Sequence, residues 1–357
     1  MGPVLERAIA GSGGWLAFDR YMALALYEPG LGYYANDSRK FGAMPDSGSD
    51  FVTAPELSPL FGQTLATQVS QALESTATRE VWEFGAGSGV LALQLLDALG
   101  DQVARYSIVE LSGALRERQQ ERLAAHAHKL HWVSELPAHM EGVVLGNEVL
   151  DAMPVQLLVR KSGVWHERGV TIRNGELLFE DRPSPLRPPV DVEGPHDYLT
   201  EIHPQAQAFV ATLAERLVRG AAFFLDYGFP ESEYYHPQRH MGTLMCHQGH
   251  VADVNPLLDV GRKDITAHVN FTAVALAAQD AGLICLGYTS QARFLMNCGL
   301  LQKLEHTTPA ARGQAQKFIT EHEMGELFKV IGIATNGPGE VPWEALGFSG
   351  GDRSHTL

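Results

Sequence analysis

From residue 79 onward the chain alternates between short continuous apolar runs and stretches whose apolar positions recur every third or fourth residue. The runs REVWEFGAG, RYSIVEL, KLHWV and EGVVLGNE read as buried strands, and SGVLALQLLDAL and SGALRERQQERLAAH as helices. Buried strands interleaved with helices predict a parallel sheet covered on both faces. The alternation breaks at QLLVRKSGVWHERGVTIRNGELLFE, where Ser162-Gly163 and Asn174-Gly175 fall between apolar runs. Those dipeptides are hairpin turns and predict an antiparallel insertion. After a proline-rich connection, RPSPLRPPVDVEGP, the spacing predicts a helix over PQAQAFVATLAERLVRG and a strand over AAFFLDYG. Residues 229–263 are polar and aromatic without a clear period, too long for a passive turn. FTAVALAAQDAG reads as a helix, and LICLGYTS and LFKVIGIA as strands that enclose a helical stretch near 291–322.

Upstream, residues 14–28 place Trp15, Phe18, Met22 and Ala25 or Leu26 on one helical face. That spacing fits core packing better than a partner surface. A stretch rich in Gly, Pro and Asp from Pro29 to Asp50 reads as a long loop or short hairpins. Ser58-Pro59 then signals a helix start.

Composition narrows the function classes. The hydrophobic fraction of 45% in 357 residues supports a sizeable core. A net charge of −15 argues against nucleic acid as a partner, because phosphate binding needs basic surface. It suits a basic protein partner, or solubility alone. Cys246, Cys285 and Cys298 have no CxxC spacing, as expected without disulfides. MGPVLERAIAGSGGW shows neither a secretory core nor an Arg-rich presequence, and Glu6 breaks the myristoylation pattern. No apolar run approaches a membrane span. The expectation is a cytoplasmic protein without membrane insertion, with a homodimer favoured only by how common dimers are.

Ligands of open parallel sheets bind beyond the carboxyl ends of the strands. The residues at those ends are Glu83-Phe84-Gly85-Ala86-Gly87-Ser88-Gly89, Glu110, Asn147-Glu148 and Asp226-Tyr227-Gly228. In a dinucleotide fingerprint, G-x-G-x-x-G, the third glycine would stand one residue later, where Val90 is. The pattern E-x-G-x-G-x-G instead resembles motif I of class I S-adenosylmethionine methyltransferases; the alternative is a plain tight turn. Glu110 lies 21 residues beyond Gly89, the distance at which an acid pairs with ribose hydroxyls, though a solvated acid at a helix start reads the same. Asn147, Glu148 and Asp151 crowd the end of one buried strand. On one helical turn Glu148 and Asp151 would share a face and could hold the donor fork of a guanidinium. Otherwise all three are caps and turn formers before Pro154.

LYEPGLGYY, DFVTAPELSPLFG, EFGAGSG, GNEVLDAMPV, GTLMCHQGHVADVNPLLDVGRKDITAHVNF and MGELFKVIGIA together resemble the MidA-like S-adenosylmethionine-dependent methyltransferases, from about Trp15 to Ala334. That family includes the mitochondrial assembly factor for respiratory complex I. The resemblance implies a class I, Rossmann-like α/β fold: a mostly parallel sheet with helices on both faces, an N-terminal helical extension, and antiparallel and lid insertions. It implies domain bounds of 1–75 for the extension and cofactor-covering loop, 76–335 for the core with insertions at about 156–200 and 229–265, and 336–357 for a tail. It implies S-adenosyl-L-methionine as cofactor and S-adenosyl-L-homocysteine as product, with no metal. Glu83, Gly85, Ala86, Gly87 and Gly89 would form the cofactor loop, Glu110 and Leu111 the ribose end, and Thr53, Pro55 and Glu56 a cover. Asn147, Glu148 and Asp151 would face the acceptor, Asn147 also contacting the cofactor, and Asp264, Thr266 and His268 would close the pocket, His268 among the catalytic groups. The acceptor implied is arginine in a protein, such as a respiratory-complex subunit. Methylation of a small molecule or another side chain, or a non-catalytic cofactor-binding assembly factor, are the alternatives. His236, His240, Cys246, His247 and His250 invite a zinc reading, but their spacing matches no standard site. A lid fits better, with Tyr234, Tyr235 and His250 against the substrate backbone.

Overall fold

The computed structural model describes residues 1–36, 53–337 and 343–357. Parts of the expected 29–50 loop, of the DFVTAPELSPLFG motif and of the 336–357 tail lie outside the described residues.

The chain opens with α1 (Gly2–Gly11), β1 (Leu16–Ala17) and α2 (Phe18–Tyr27). The helix expected over 14–28 starts only at Phe18, because Leu16 and Ala17 pair with Val170 and Gly169 as a short strand. The sequence reading passed over α1, whose Leu5 and Ile9, four apart, are both buried. Next come α3 (Ala54–Leu57) and α4 (Leu60–Ser75), followed by β2 (Glu80–Phe84), α5 (Val90–Leu99), β3 (Arg105–Val109), α6 (Gly113–Arg122), β4 (Leu130–Val133) and β5 (Met140–Asn147). The antiparallel insertion is β6 (Gln156–Lys161), β7 (Val164–Arg173), β8 (Glu176–Pro183) and β9 (Tyr198–Ile202). Its two hairpins turn at Ser162-Gly163 and Asn174-Gly175, all four at positive φ, as two-residue hairpin loops require. The sequence reading passed over β9, which pairs with β6.

The chain returns through α7 (Pro204–Arg216) to β10 (Leu217–Phe229). Leu217–Gly220, expected as helix, join β10 instead, because they pair with Met140–Gly142 of β5. The stretch without a clear period holds α8 (Glu231–Tyr234), β11 (Met245–Gln248) and β12 (Val251–Asp253), which with β13 (Asp264–Thr266) make a small sheet. Then follow β14 (Val269–Asn270), α9 (Phe271–Asp280), β15 (Ile284–Ser290), α10 (Gln291–Asn297), α11 (Leu300–Glu305), α12 (Pro309–Gln316) and β16 (Phe328–Ala334).

The main sheet runs in the order β15-β16-β10-β5-β2-β3-β4, with β14 beside β10. Strands β10, β5, β2, β3 and β4 are parallel, and β16 is antiparallel to both its neighbours. Alternate side chains of a strand face opposite ways. Val143, Leu145, Phe223 and Leu225 therefore pack with α4, α5 and α10, while Val144, Ala222, Phe224 and Ile331 pack with α7 and α9. A third core joins α1 and α2 to Leu157 and Val170 of the insertion and to Cys246 and Ile265 of the small sheet. The chain runs outward from β2 to β4 and returns to β5 on the other side of β2. The crevice beyond the carboxyl ends of β2 and β5 is thus the topological switch point. Among the described residues no helix is long and apolar enough to cross a membrane.

Candidate active site

A cavity of about 1640 Å³ opens at that crevice. Its wall includes every residue named above for the cofactor loop except Gly89, and all those named for the ribose end, the cover and the acceptor face. The loop after β2 carries Gly85, Gly87 and Gly89 at φ +63°, +51° and +79°, a backbone that L side chains rarely adopt. A Cβ added at Gly85 would stand 2.8 Å from the Val149 side chain.

Glu83 is buried at the inner end of the wall and accepts a hydrogen bond from the Tyr106 hydroxyl at 2.6 Å. Burial pushes its carboxyl up to about 7. Glu110 accepts from the Ser112 amide at 2.8 Å and from Gln119 Nε2 at 3.1 Å. Gln119 was missed in the sequence. Fully buried, it also donates to the Gly87 carbonyl at 2.9 Å and accepts from Trp132 Nε1 at 2.9 Å. It thereby fixes the glycine loop against the end of β3. Its only sequence signal is an uncharged position within a charged helix.

The cover is fastened to the glycine loop. Ser88 donates to Glu56, and Arg122 Nη1 donates to Ser88 at 2.7 Å and lies 3.8 Å from Glu56. Gln94 donates to the Pro55 carbonyl at 2.8 Å and accepts from the Gly62 amide at 3.0 Å. Thr53 lines the cavity beside them.

On the acceptor side the structure corrects one expectation. Glu148 and Asp151 do not lie on a helical turn. Glu148 has φ +55°, and residues 149–151 wrap around a carboxylate. Asp226 Oδ2 accepts the amides of Val149, Leu150 and Asp151 at 3.1, 2.8 and 3.2 Å, and Glu148 N donates to the Leu225 carbonyl at 2.8 Å. Both carboxylates still line the cavity. Asn147 is not a cap either: its Nδ2 donates to Glu148 Oε1 at 3.1 Å. Tyr227, which the sequence reading left without a role, donates to Asp151 Oδ2. Burial, and then the charge of Asp151, push Glu148 up to about 8, and burial pushes Asp151 up to about 6.

Asp264, Thr266 and His268 line the opposite wall. Asp264 Oδ1 accepts from Tyr34 at 2.8 Å. The His268 ring stands edge-on to Tyr227 and to Phe229, both at 5.2 Å. Burial, with the charges of Arg239 and Lys329, lowers His268 to about 4, so its ring is neutral at pH 7. Among the described residues, Asn147 Oδ1, Asp151 Oδ1 and His268 Nδ1 are buried without a hydrogen-bond partner.

The remaining expectations scatter. Tyr234 donates to Glu201 Oε2 at 2.8 Å and Tyr235 to the Glu201 carbonyl at 3.0 Å. Neither they nor His250 lines the cavity, so their expected contact with substrate is corrected. Glu201 is a buried acid that also accepts from the Thr243 amide at 2.9 Å and the Leu244 amide at 3.2 Å. Cys246 is buried in the third core, His236, His240 and His250 are exposed, and His247 alone of this group lines the cavity. Among the described residues no group of three or more His, Cys, Asp or Glu could hold a metal ion.

The wall fits a cationic amino-acid nucleoside. Left-handed glycines let such a ligand approach the backbone. Glu83 is a buried acid that no cationic side chain pairs among its described contacts, and Glu110 brings a second carboxylate to the wall.

Comparison with known proteins agrees. Residues 61–289 match a family model described as "Putative S-adenosyl-L-methionine-dependent methyltransferase". A crystal structure from Burkholderia thailandensis, of a protein bound to S-adenosyl-homocysteine, is 49% identical with a TM-score of 0.94, covering 100% of this chain and 96% of that one. The mitochondrial protein arginine methyltransferase NDUFAF7 of Danio rerio is 27% identical over 367 residues, 90% of this chain and 83% of its own length. Its Bos taurus counterpart is 28% identical over 371 residues, 90% and 80% of the two chains.

Proposed function

The chain belongs to this family of S-adenosyl-L-methionine-dependent methyltransferases, and from that premise we propose that it methylates arginine side chains of a protein partner. Its cofactor, when bound, supplies an electrophilic methyl group on a sulfonium. The protein's own residues bind the acceptor, orient it and take up its proton.

The observation that carries the reading is the set of acceptors without donors. Asn147 Oδ1 and Asp151 Oδ1 are buried and without a partner among the described residues, and Glu148 lies between them in sequence. Leaving such atoms unsatisfied costs about 1–3 kcal/mol each. A guanidinium has five donors and no acceptor, stays charged, and presents a planar fork. An ammonium offers a point charge without the fork. Asp226 and Tyr227 hold the acceptor face rigid, so that the attacking nitrogen meets the methyl carbon in line. That nitrogen must shed one proton as its bond to carbon forms. Burial pushes Glu148 up to about 8; the charge of a bound guanidinium would hold it ionised, and the carboxylate would then receive that proton.

The curated relatives named above are called protein arginine methyltransferases, which supports a protein acceptor. The family resemblance makes a respiratory-complex subunit the first partner to try. The test is transfer of labelled methyl into a lysate of the source organism, followed by acid hydrolysis of the labelled protein. Label is expected in methylarginine. Label confined to lysine, to histidine or to the small-molecule fraction would reject the proposal.

A further inference from the structure

We infer that the mouth of the cavity is a docking surface for an acceptor segment in which apolar side chains flank the cationic one, an inference that rests on the arginine reading above. The three most exposed large apolar side chains among the described residues are Leu111, Met241 and Val254, at 77%, 73% and 72%. All three line this one cavity, and Leu327, at 50%, is a fourth. Single exposed apolar residues are ordinary, but their convergence on one opening is not. Leu111 follows Glu110 and belongs to the cofactor end. The other three come from separate segments: the stretch before β11, the stretch after β12, and the residue before β16. The same wall carries Glu148, Asp151 and Asp264, the last two buried while the apolar side chains are exposed.

The layering selects the occupant. The acidic floor takes a cation, and the apolar lip takes what stands on either side of it. A cation alone would leave the lip in water, and an apolar segment alone would leave Asn147 Oδ1 and Asp151 Oδ1, buried without a partner among the described residues, still without a donor. A second copy of this chain is a poor guest, because a surface with net charge −15 would be pressed against a mouth floored by carboxylates.

Two peptides test this. Each carries one arginine, flanked by leucines in the first and by serines in the second. The leucine peptide is expected to react with kcat/KM about tenfold higher. The double substitution Met241→Asp with Val254→Asp should erase that advantage, while affinity for the cofactor by calorimetry stays at the wild-type value and shows that the variant is folded. Equal kcat/KM for the two peptides in the wild-type protein would overturn the inference and leave the arginine reading standing. No transfer to either peptide would overturn the arginine reading itself. A dimer in sedimentation that Met241→Asp dissociates would assign the lip to a second copy and also overturn the inference.

Discussion

Cofactor binding should be coupled to the ionisation of Glu83. Burial pushes this carboxyl up to about 7, and if it receives the methionine end of the cofactor, as the resemblance implies, the α-ammonium there needs it ionised. If binding holds it ionised, the apparent dissociation constant scales as 1 + 10^(pKa − pH). Between pH 7 and pH 6 the cofactor amine remains mostly protonated, so only the protein changes. Affinity should then fall about fivefold, roughly 1 kcal/mol. Isothermal titration at pH 6 in two buffers of unlike ionisation heat should show nearly one proton released per cofactor bound. The fold itself gives a second readout. The folded-state pKa stands above the ordinary carboxyl value of 4.5, so ionising Glu83 destabilises the cofactor-free protein. The cost is absent below about pH 4.5 and complete above about pH 7, approaching ~3 kcal/mol. Glu83→Gln should therefore raise the melting temperature of the cofactor-free protein at pH 8, weaken cofactor binding, and abolish the pH slope. A slope unchanged in Glu83→Gln, or an affinity flat from pH 7 to pH 6 in the wild type, would refute the reasoning.

Three substitutions probe the rest of the site. Glu148→Gln should keep cofactor affinity but lower kcat at least a hundredfold; transfer at the wild-type rate would remove Glu148 from the acceptor face. Asp226→Asn replaces the buried acid, which burial and the neighbouring Asp151 and Glu148 push well above the usual carboxyl range, at the three hydrogen bonds that shape residues 149–151, each worth about 0.5–1.5 kcal/mol. It should reduce kcat with little change in cofactor affinity, and an unaltered kcat would show that this carboxylate does not position Asp151. Gly87→Val places a branched side chain at φ +51° where the cofactor must approach. Calorimetry should detect no binding, and retained binding would displace the cofactor from this loop.

Much of this was legible in the sequence because parallel strands buried on both faces leave continuous apolar runs, and the strand ends then name the site. EVWEF and VVLGN gave both strand and crevice in this way. The hairpins at Ser162-Gly163 and Asn174-Gly175 were legible because two-residue turns demand particular residues. What escaped notice depends on distant pairing. Leu16–Ala17 carries a helical pattern but is drawn into a strand by Val170 and Gly169. β9 has no turn signal of its own and exists because β6 presents an open edge. The acceptor turn looked helical from the spacing of Glu148 and Asp151; Asp226, 75 residues on, imposes another shape. Gln119 is hidden for a similar reason, since its partners on other elements give a buried polar residue its meaning.

The staple between Asp226 and residues 149–151 has a consequence for how this enzyme can change over time. Chain leaves the main sheet just after β5 and rejoins it at β10, so the whole antiparallel insertion is a closed excursion pinned at both ends to adjoining strands. Mutations can accumulate in that excursion, and its hairpins can lengthen or shorten, without the reacting groups shifting. The insertion contributes Leu157, Arg168, Phe179 and Leu199 to the cavity wall, so drift there would retune which acceptor is admitted while the transfer machinery is inherited intact.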